Sequence, residues 1–345
     1  MISNYQNTKF ITGFRAYAAL GVFMIHCGGF GFRNFGSYAN NFVDFGSTGV
    51  IVFFVVSAFT VSMSVDRERN FLFKKYILKR FFRIAPMYYL VLILAFFLGG
   101  NLYYLKLFNV SNSLFSLLFH ASFLNWLNFR YQNNLIGVEW SVPIEFSYYL
   151  VIPFALFFFK RYPGSVLIGL LLAAIVSSTG YLIYQKINLP VLAYHWSLLK
   201  YLFSFMFGIF IYLIFREDNF FKKFNYASLL ITLLLIIFGI YVLLGFQYHD
   251  MFATMFIGLL ILTCKQKTKI SVLLFENKII MFLGEISYSI YLVHMLILDH
   301  VGNNEGFINP LVMLTLTIIV STATYFLIEK PFIRLGKKML STGNI

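Results

Sequence analysis

Ten stretches of this 345-residue chain are each long and apolar enough to cross a lipid bilayer as a helix. A spanning helix needs about 20 mostly apolar residues, because each residue of an α-helix adds about 1.5 Å. Hydrophobic residues make up 60% of the chain and charged residues 12%, against roughly 25% charged in soluble domains. This composition excludes a soluble enzyme and a disordered chain, and it predicts a polytopic all-α membrane helix bundle. The predicted spans cover residues 10–30, 46–64, 82–100, 140–159, 166–184, 197–215, 226–245, 248–264, 283–301 and 309–328.

The shorter apolar stretch 113–127 contains His120 and Asn125, and we interpret it as a re-entrant or interfacial segment. The basic residues support this choice, because cytoplasmic loops of membrane proteins carry an excess of Lys and Arg. With a cytoplasmic N-terminus, 20 of the 27 Lys and Arg residues fall on predicted cytoplasmic segments and four on outer loops. A crossing at 113–127 would invert the later loops and remove this bias. Ten spans with both termini in the cytoplasm are therefore predicted.

We expect a single membrane domain over residues 1–345, with its core at about 10–335 and no appended soluble domain. The net charge of +14 follows from the orientation of the loops, so it does not indicate a nucleic-acid partner. Two cysteines in apolar stretches are too few for a disulfide framework or a zinc site, and no metal is expected. Chemistry is therefore expected inside the bundle, where ionisable side chains are costly and usually face the interior.

Arg15 and His26 share one stripe of the first predicted span, because 11 steps of about 100° leave an offset of only about 20°. The helical rise separates them by about 16 Å, with Arg15 toward the cytoplasm and His26 toward the outer leaflet. A cation below and a proton acceptor above suggest a pathway through the membrane. A snorkelling arginine and a hydrogen-bonded core histidine are the structural alternative.

Arg80 and Arg83 share a helix face at the cytoplasmic edge of the third predicted span, just before Pro86. A pair of guanidinium groups suits phosphate oxygens, because each presents a planar fork of donors. Ordinary positive-inside charge is the alternative for these two residues.

Trp140, Ser141 and Glu145 open the fourth predicted span. Glu145 lies about a turn and a half inside the outer surface, on the same face as Ser141. Its predicted depth equals that of His26, and two proton-handling groups at one level are what acid–base chemistry requires. A structural ion pair or hydrogen bond is the alternative.

Two further spans carry polar side chains. Ser287, Tyr291 and His294 recur at helical spacing in the ninth span, and Ser57 lies among small residues of the second. These residues are candidates for substrate binding, and a hydrogen-bonded seam between helices is the alternative.

Together these motifs resemble the acyltransferase family 3 of integral membrane O-acyltransferases. The matching motifs occur in family order over about residues 10–335. They are Arg15-x10-His26, Phe53-Phe54 with Ser57 and Phe59, Arg80-x2-Arg83-Ile84-x-Pro86, Trp140-Ser141-x3-Glu145, Ser287-Tyr288-x2-Tyr291-Leu292-x-His294, and Glu329-x-Pro331.

The resemblance implies ten spanning helices in a bacterial inner membrane. It also implies transfer of an acyl group, most often acetyl, from cytoplasmic acetyl-CoA or another acyl-CoA to a hydroxyl. Acceptors in the family include O-antigen, peptidoglycan and exopolysaccharides, so a cell-surface or lipid-linked glycan is the expected partner, with membrane lipids around the chain.

The resemblance and the residue pattern together suggest a division of roles. We expect Arg80 and Arg83 to hold the CoA phosphates and Arg15 to guide the phosphopantetheine arm or polarise the thioester. His26 is expected to act as general base or transient acyl carrier, with Glu145 orienting it or assisting proton transfer. Trp140, Ser141, Ser57, Tyr291 and His294 are the expected acceptor-side residues.

Two other classes of protein stay open at this point. A transporter or flippase for a glycan lipid would use the same ionisable residues to bind substrate or relay protons. A non-catalytic subunit of a polysaccharide assembly machine would keep product acylation after His26→Ala.

Overall fold

A computed structural model describes residues 8–217, 226–245, 249–301 and 310–341. All regular secondary structure in these ranges is helical, which confirms the all-α prediction. The α-helices are α1 (Phe10–His26), α2 (Ser37–Phe45), α3 (Gly49–Arg67), α4 (Phe73–Phe97), α5 (Leu102–Phe108), α6 (Leu114–Ala121), α7 (Ser141–Arg161), α8 (Ser165–Lys186), α9 (Val191–His195), α10 (Leu198–Arg216), α11 (Ala227–Leu244), α12 (His249–Cys264), α13 (Lys269–Phe275), α14 (Lys278–Glu285), α15 (Ser287–Val301), α16 (Pro310–Thr324) and α17 (Lys330–Ser341).

Within the described residues, six helical stretches are long and apolar enough to cross a membrane, and two bent helix pairs raise the number to eight. The chain is therefore a multi-pass membrane protein. The predicted spans 226–245 and 248–264 correspond to shorter apolar helices, Ala227–Val242 and Asp250–Cys264. The six long stretches are Ser37–Arg67, Phe73–Phe97, Ser141–Arg161, Ser165–Lys186, Val191–Arg216 and Pro310–Leu340.

Two predicted spans are not continuous helices. The span predicted at 10–30 ends as an α-helix at His26 and bends by 73° into a 3₁₀ segment, Gly28–Phe35. Gly28, Gly29 and Gly31 all have positive φ there, a conformation that other residues rarely adopt. The span predicted at 283–301 bends by 69° between α14 and α15. Hydropathy alone does not reveal such breaks, because the residues on both sides of them are apolar.

The stretch predicted as re-entrant or interfacial, 113–127, contains only a short helix. Helix α6 has eight residues, which span about 12 Å, and the hydrocarbon core is about 30 Å thick. The following Asn125–Leu127 is a single 3₁₀ turn.

The chain divides into two compact units. Unit 1 comprises residues 1–63, 164–170 and 203–288, and its central helix is α1. Helix α1 meets α13 and α14 by direct backbone contact at two glycines. A Cβ on Gly13 would lie 2.2 Å from the carbonyl oxygen of Phe275, and one on Gly284 would lie 1.9 Å from that of Thr12. Only glycine fits at these two crossings.

Unit 2 comprises residues 64–163, 171–202 and 289–345. Helix α4 packs there against α6, α7 and α17. The residues Tyr325–Glu329 form one π-helical turn that joins α16 to α17. Beyond this turn, Gly336 of α17 lies so close to α4 that a Cβ would sit 2.7 Å from Cβ of Phe82.

Candidate functional site

Arg80 lies in a cluster of aromatic and acidic side chains between α4 and α7 of unit 2. Its guanidinium carbon is 5.6 Å from the ring centroids of both Tyr76 and Tyr149. The hydroxyl of Tyr76 donates to the backbone carbonyl of Tyr149 at 2.9 Å, and the hydroxyl of Tyr149 donates to Oε1 of Glu145 at 2.7 Å. The spacing i,i+4 within each helix places these side chains on facing surfaces. Two residues predicted from the sequence, Arg80 and Glu145, therefore belong to one cluster.

The guanidinium of Arg80 has hydrogen-bonding capacity left over. Its Nε is buried and has no hydrogen-bond partner. An unmade hydrogen bond to a buried charged group is costly, so a missing acceptor is expected at this nitrogen. Arg83 lies almost one turn further along α4 and is half-buried.

Ser141 and Tyr291 form a hydrogen-bonded chain at the N-terminal end of α7. The Tyr291 hydroxyl donates to the carbonyl oxygen of Val138 at 2.7 Å. A carbonyl can only accept, so the Ser141 hydroxyl, 2.7 Å from the phenol oxygen, is the donor of that second bond. Trp140 stacks on Tyr201 with ring centroids 5.4 Å apart.

His294 is fully buried on α15, and its Nδ1 is 3.1 Å from the carbonyl oxygen of Ile290. The bonds described for Tyr291 and His294 are thus made to the protein itself. Their predicted contacts with substrate stay predictions.

Unit 1 carries the remaining predicted residues. Arg15 and His26 both lie on α1, which is one uninterrupted helix between them. Arg15 is half-buried, whereas His26 is solvent-accessible in the last turn, where its ring hydrogen-bonds the backbone of Val22. Ser57 is buried on α3. Because His26 and Glu145 belong to different units, the predicted pairing of these two residues stays a prediction.

A buried pair of titratable residues in unit 2, His120 and Glu139, was missed by sequence reasoning. Both side chains are fully buried, and Nε2 of His120 is 3.3 Å from Oε1 of Glu139. This separation is within ion-pair range, although it does not meet the geometry of a directed hydrogen bond. The carboxylate also accepts three backbone N–H groups, from Leu135 at 2.8 Å, Ile136 at 3.1 Å and Gly137 at 2.6 Å.

The hydrogen bonds of His120 and Glu139 determine where their protons are. Nδ1 of His120 lies 2.8 Å from the carbonyl oxygen of Ser116, which can only accept, so Nδ1 carries a proton. Three N–H donors favour the ionised form of Glu139. An ionised carboxylate beside Nε2 then requires a proton on Nε2 as well, which makes the pair imidazolium and carboxylate.

The charge of Glu139 also acts on a neighbouring phenol. Burial raises the pKa of Tyr104 to about 12, and the negative charge of Glu139 adds to this shift. The phenol therefore stays protonated and available as a hydrogen-bond donor at neutral pH.

A local signal for the Glu139 site exists in the sequence. Gly137 has φ of +104°, and a glycine two residues before a carboxylate is compatible with a tight loop that turns its N–H groups inward. Because Glu139 directly precedes the predicted span at 140–159, it was treated as part of the flanking loop.

Comparisons with known proteins agree with this architecture. A family model described as "Acyltransferase domain" matches residues 8–330, which is nearly the whole described chain. A protein of Acidianus two-tailed virus named "Putative acetyltransferase ORF330" is 26% identical over 319 residues, covering 86% of this chain and 84% of its own length. No solved structure matches the chain.

The helical membrane architecture and the family match together define a class of integral membrane acyltransferase. The chain belongs to acyltransferase family 3.

Proposed function

We propose that this protein is an O-acetyltransferase that moves an acetyl group from cytoplasmic acetyl-CoA to a hydroxyl of a cell-envelope glycan. The unpartnered, buried Nε of Arg80 is the observation that carries the donor assignment. Phosphate oxygens of CoA would accept from this nitrogen, and guanidinium groups bind phosphate in a planar, charge-assisted geometry. Arg83, on the same helix, adds a second positive charge.

The tyrosines around Arg80 support the same assignment. Tyr76 and Tyr149 pack against the guanidinium from two helices and restrict its rotamers. A side chain held in place before the ligand arrives loses less conformational entropy on binding. Arg15, on α1 of unit 1, is assigned to the thioester end of the donor.

In the proposed reaction, His26 accepts the proton of the acceptor hydroxyl. The hydroxyl oxygen attacks the thioester carbonyl, the C–S bond breaks, and the acetyl group forms an ester with the glycan. The sulfur leaves as CoA thiolate and takes up a proton, so the reaction needs no further reactant. Solvent access to His26 in the last turn of α1 supports this role. Glu145 is assigned to proton transfer, and Trp140, Ser141, Ser57, Tyr291 and His294 to the acceptor side.

We further propose ten membrane crossings with both termini in the cytoplasm of a bacterial inner membrane. The two bent helix pairs and the two shorter apolar helices would supply the four crossings beyond the six long stretches.

The His26 assignment is tested by measuring glycan acetylation in cells that carry wild type, His26→Ala or the control His195→Ala. His195 is an exposed histidine at the end of α9. We expect the His26 variant to lose acetylation and the control to keep it. Unchanged acetylation in the His26 variant would remove the catalytic assignment and favour a transporter or an assembly subunit.

The donor site is tested separately, by the KM for acetyl-CoA in purified protein. Arg80→Ala should raise this KM, and Arg80→Lys should rescue it only in part, because an ammonium lacks the planar fork. Lys74→Ala is the matched control, since Lys74 is an exposed cation on the same helix. An equal KM in all four proteins would show that Arg80 does not bind the donor.

A further inference from the structure

The segment between α5 and α7 concentrates buried polar atoms that lack partners. Of the 14 such side-chain atoms in the described residues, six lie between residues 112 and 134. Two of them, Oδ1 of Asn125 and Oε1 of Gln132, belong to side chains that are 0% and 1% exposed. Buried polar groups are normally hydrogen-bonded, so such a concentration indicates missing ligand atoms.

The orientation of these two amides is determined by their other ends. Nδ2 of Asn125 donates to the backbone carbonyl of Gln132 at 3.4 Å. Nε2 of Gln132 donates to the carbonyl of Trp196 at 2.8 Å and to that of Trp126 at 3.3 Å. Carbonyl oxygens only accept, so neither amide can be turned around. Both amide oxygens therefore need a hydrogen-bond donor.

A third group nearby has the opposite requirement. The indole Nε1 of Trp126, next to Asn125 in the chain, is buried and donates to nothing described. A metal cation would satisfy the amide oxygens but not an N–H, and an anion would satisfy only the N–H. Hydroxyl groups satisfy both, because each one donates and accepts.

Aromatic rings adjoin the same amides. Trp196, whose carbonyl binds Gln132, has its ring 5.5 Å from that of Tyr104 and 5.8 Å from that of Phe108. Water alone would need only the polar atoms, whereas the apolar C–H face of a sugar ring also packs on aromatic rings.

We propose that Asn125, Trp126 and Gln132, with the ring of Trp196, form a binding site for a neutral sugar unit. This site lies wholly within unit 2 and involves none of the residues assigned to catalysis. That the bound sugar is the acetyl acceptor rests on the proposed function, whereas the binding itself does not.

The experiment uses the emission of the chain's three tryptophans, Trp126, Trp140 and Trp196, in the purified full-length protein. The probes are methyl α-D-glucopyranoside, methyl α-D-mannopyranoside and N-acetyl-D-glucosamine, with glycerol as a control for bulk solvent effects. We expect a saturable change with at least one sugar and none with glycerol. No saturable change with any of the three sugars would overturn the proposal and leave water as the occupant.

Substitutions then locate the site. Asn125→Leu removes one amide oxygen at nearly constant volume and should raise the apparent Kd at least about tenfold, the effect of one lost hydrogen bond of about 1.4 kcal/mol. Asn112→Leu is the matched control, because Asn112 also donates to a backbone carbonyl, that of Phe96 at 2.8 Å, and also has an unpartnered Oδ1. Equal weakening by both substitutions would overturn the assignment to Asn125.

A third variant keeps the test valid if Asn125→Leu does not fold. Trp140→Phe removes the tryptophan that stacks on Tyr201 and leaves the amides intact. The sugar-dependent emission change should persist in this variant, and its loss would place the sugar at Trp140 instead. Saturable sugar binding without acetyl transfer would refute the proposed enzyme activity but not this site.

Discussion

Replacing Glu139 by glutamine should destabilise the protein more than a comparable change at any surface carboxylate. In the native protein the carboxylate accepts N–H groups from Leu135, Ile136 and Gly137 and faces the imidazolium of His120. A glutamine amide has one oxygen, so its NH₂ group must face either Gly137 or the other two donors. The variant thus loses a charge-assisted bond, leaves a buried N–H unsatisfied and removes the counter-charge of His120. Breaking a buried ion pair on one side costs about 3–5 kcal/mol, which we take as the expected loss.

The free energy of unfolding would be measured by titrating the purified protein with sodium dodecyl sulfate in mixed micelles. Glu68→Gln is the control, because Glu68 pairs with Lys79 at the surface of the same unit and such pairs contribute about 0–1 kcal/mol. Adding His120→Asn to the Glu139 variant should cost less than the sum of the two single changes, since the two residues interact directly. A Glu139→Gln variant within about 1 kcal/mol of the control would refute the charged-pair interpretation.

Three further outcomes are expected. Gly284→Ala should lower the unfolding midpoint in the same titration, because its Cβ would lie 1.9 Å from the carbonyl oxygen of Thr12. Gly239→Ala, in the middle of α11 with nothing within 4 Å, should raise stability by about 0.5–1 kcal/mol. Tyr149→Phe should lower kcat by about tenfold with little change in the KM for the acceptor, because it removes the hydroxyl that donates to Glu145, and an unchanged kcat would contradict the role of that bond.

The helical class and the segments that carry the site could be predicted from hydropathy, because a bilayer imposes nearly the same length and polarity on every crossing. The arginine and glutamate that structure brings together, Arg80 and Glu145, were also found, since ionisable residues near a span stand out against an apolar background. The bend after His26 was not predicted. Glycines with positive φ cause it, and glycine is also common in continuous membrane helices.

The buried polar loop before α7 was the largest omission. Asn125, Gln132 and Glu139 lie in a segment that contains no long apolar helix, and sequence analysis treats such segments as exposed. Their burial depends on contacts with residues distant in the chain, such as the bond from Gln132 to Trp196, 64 positions away. No local pattern predicts such contacts.

The π-turn at Tyr325–Glu329 determines which residues of the C-terminal helix reach α4. One residue more than an α-helical turn rotates everything beyond it by about 100°. Deleting a single residue there would bring Lys337 to the position of Gly336, where the ring of Phe82 leaves no room for any side chain. The register of the last helix thus depends on one irregular turn, and the shortest possible deletion would undo it.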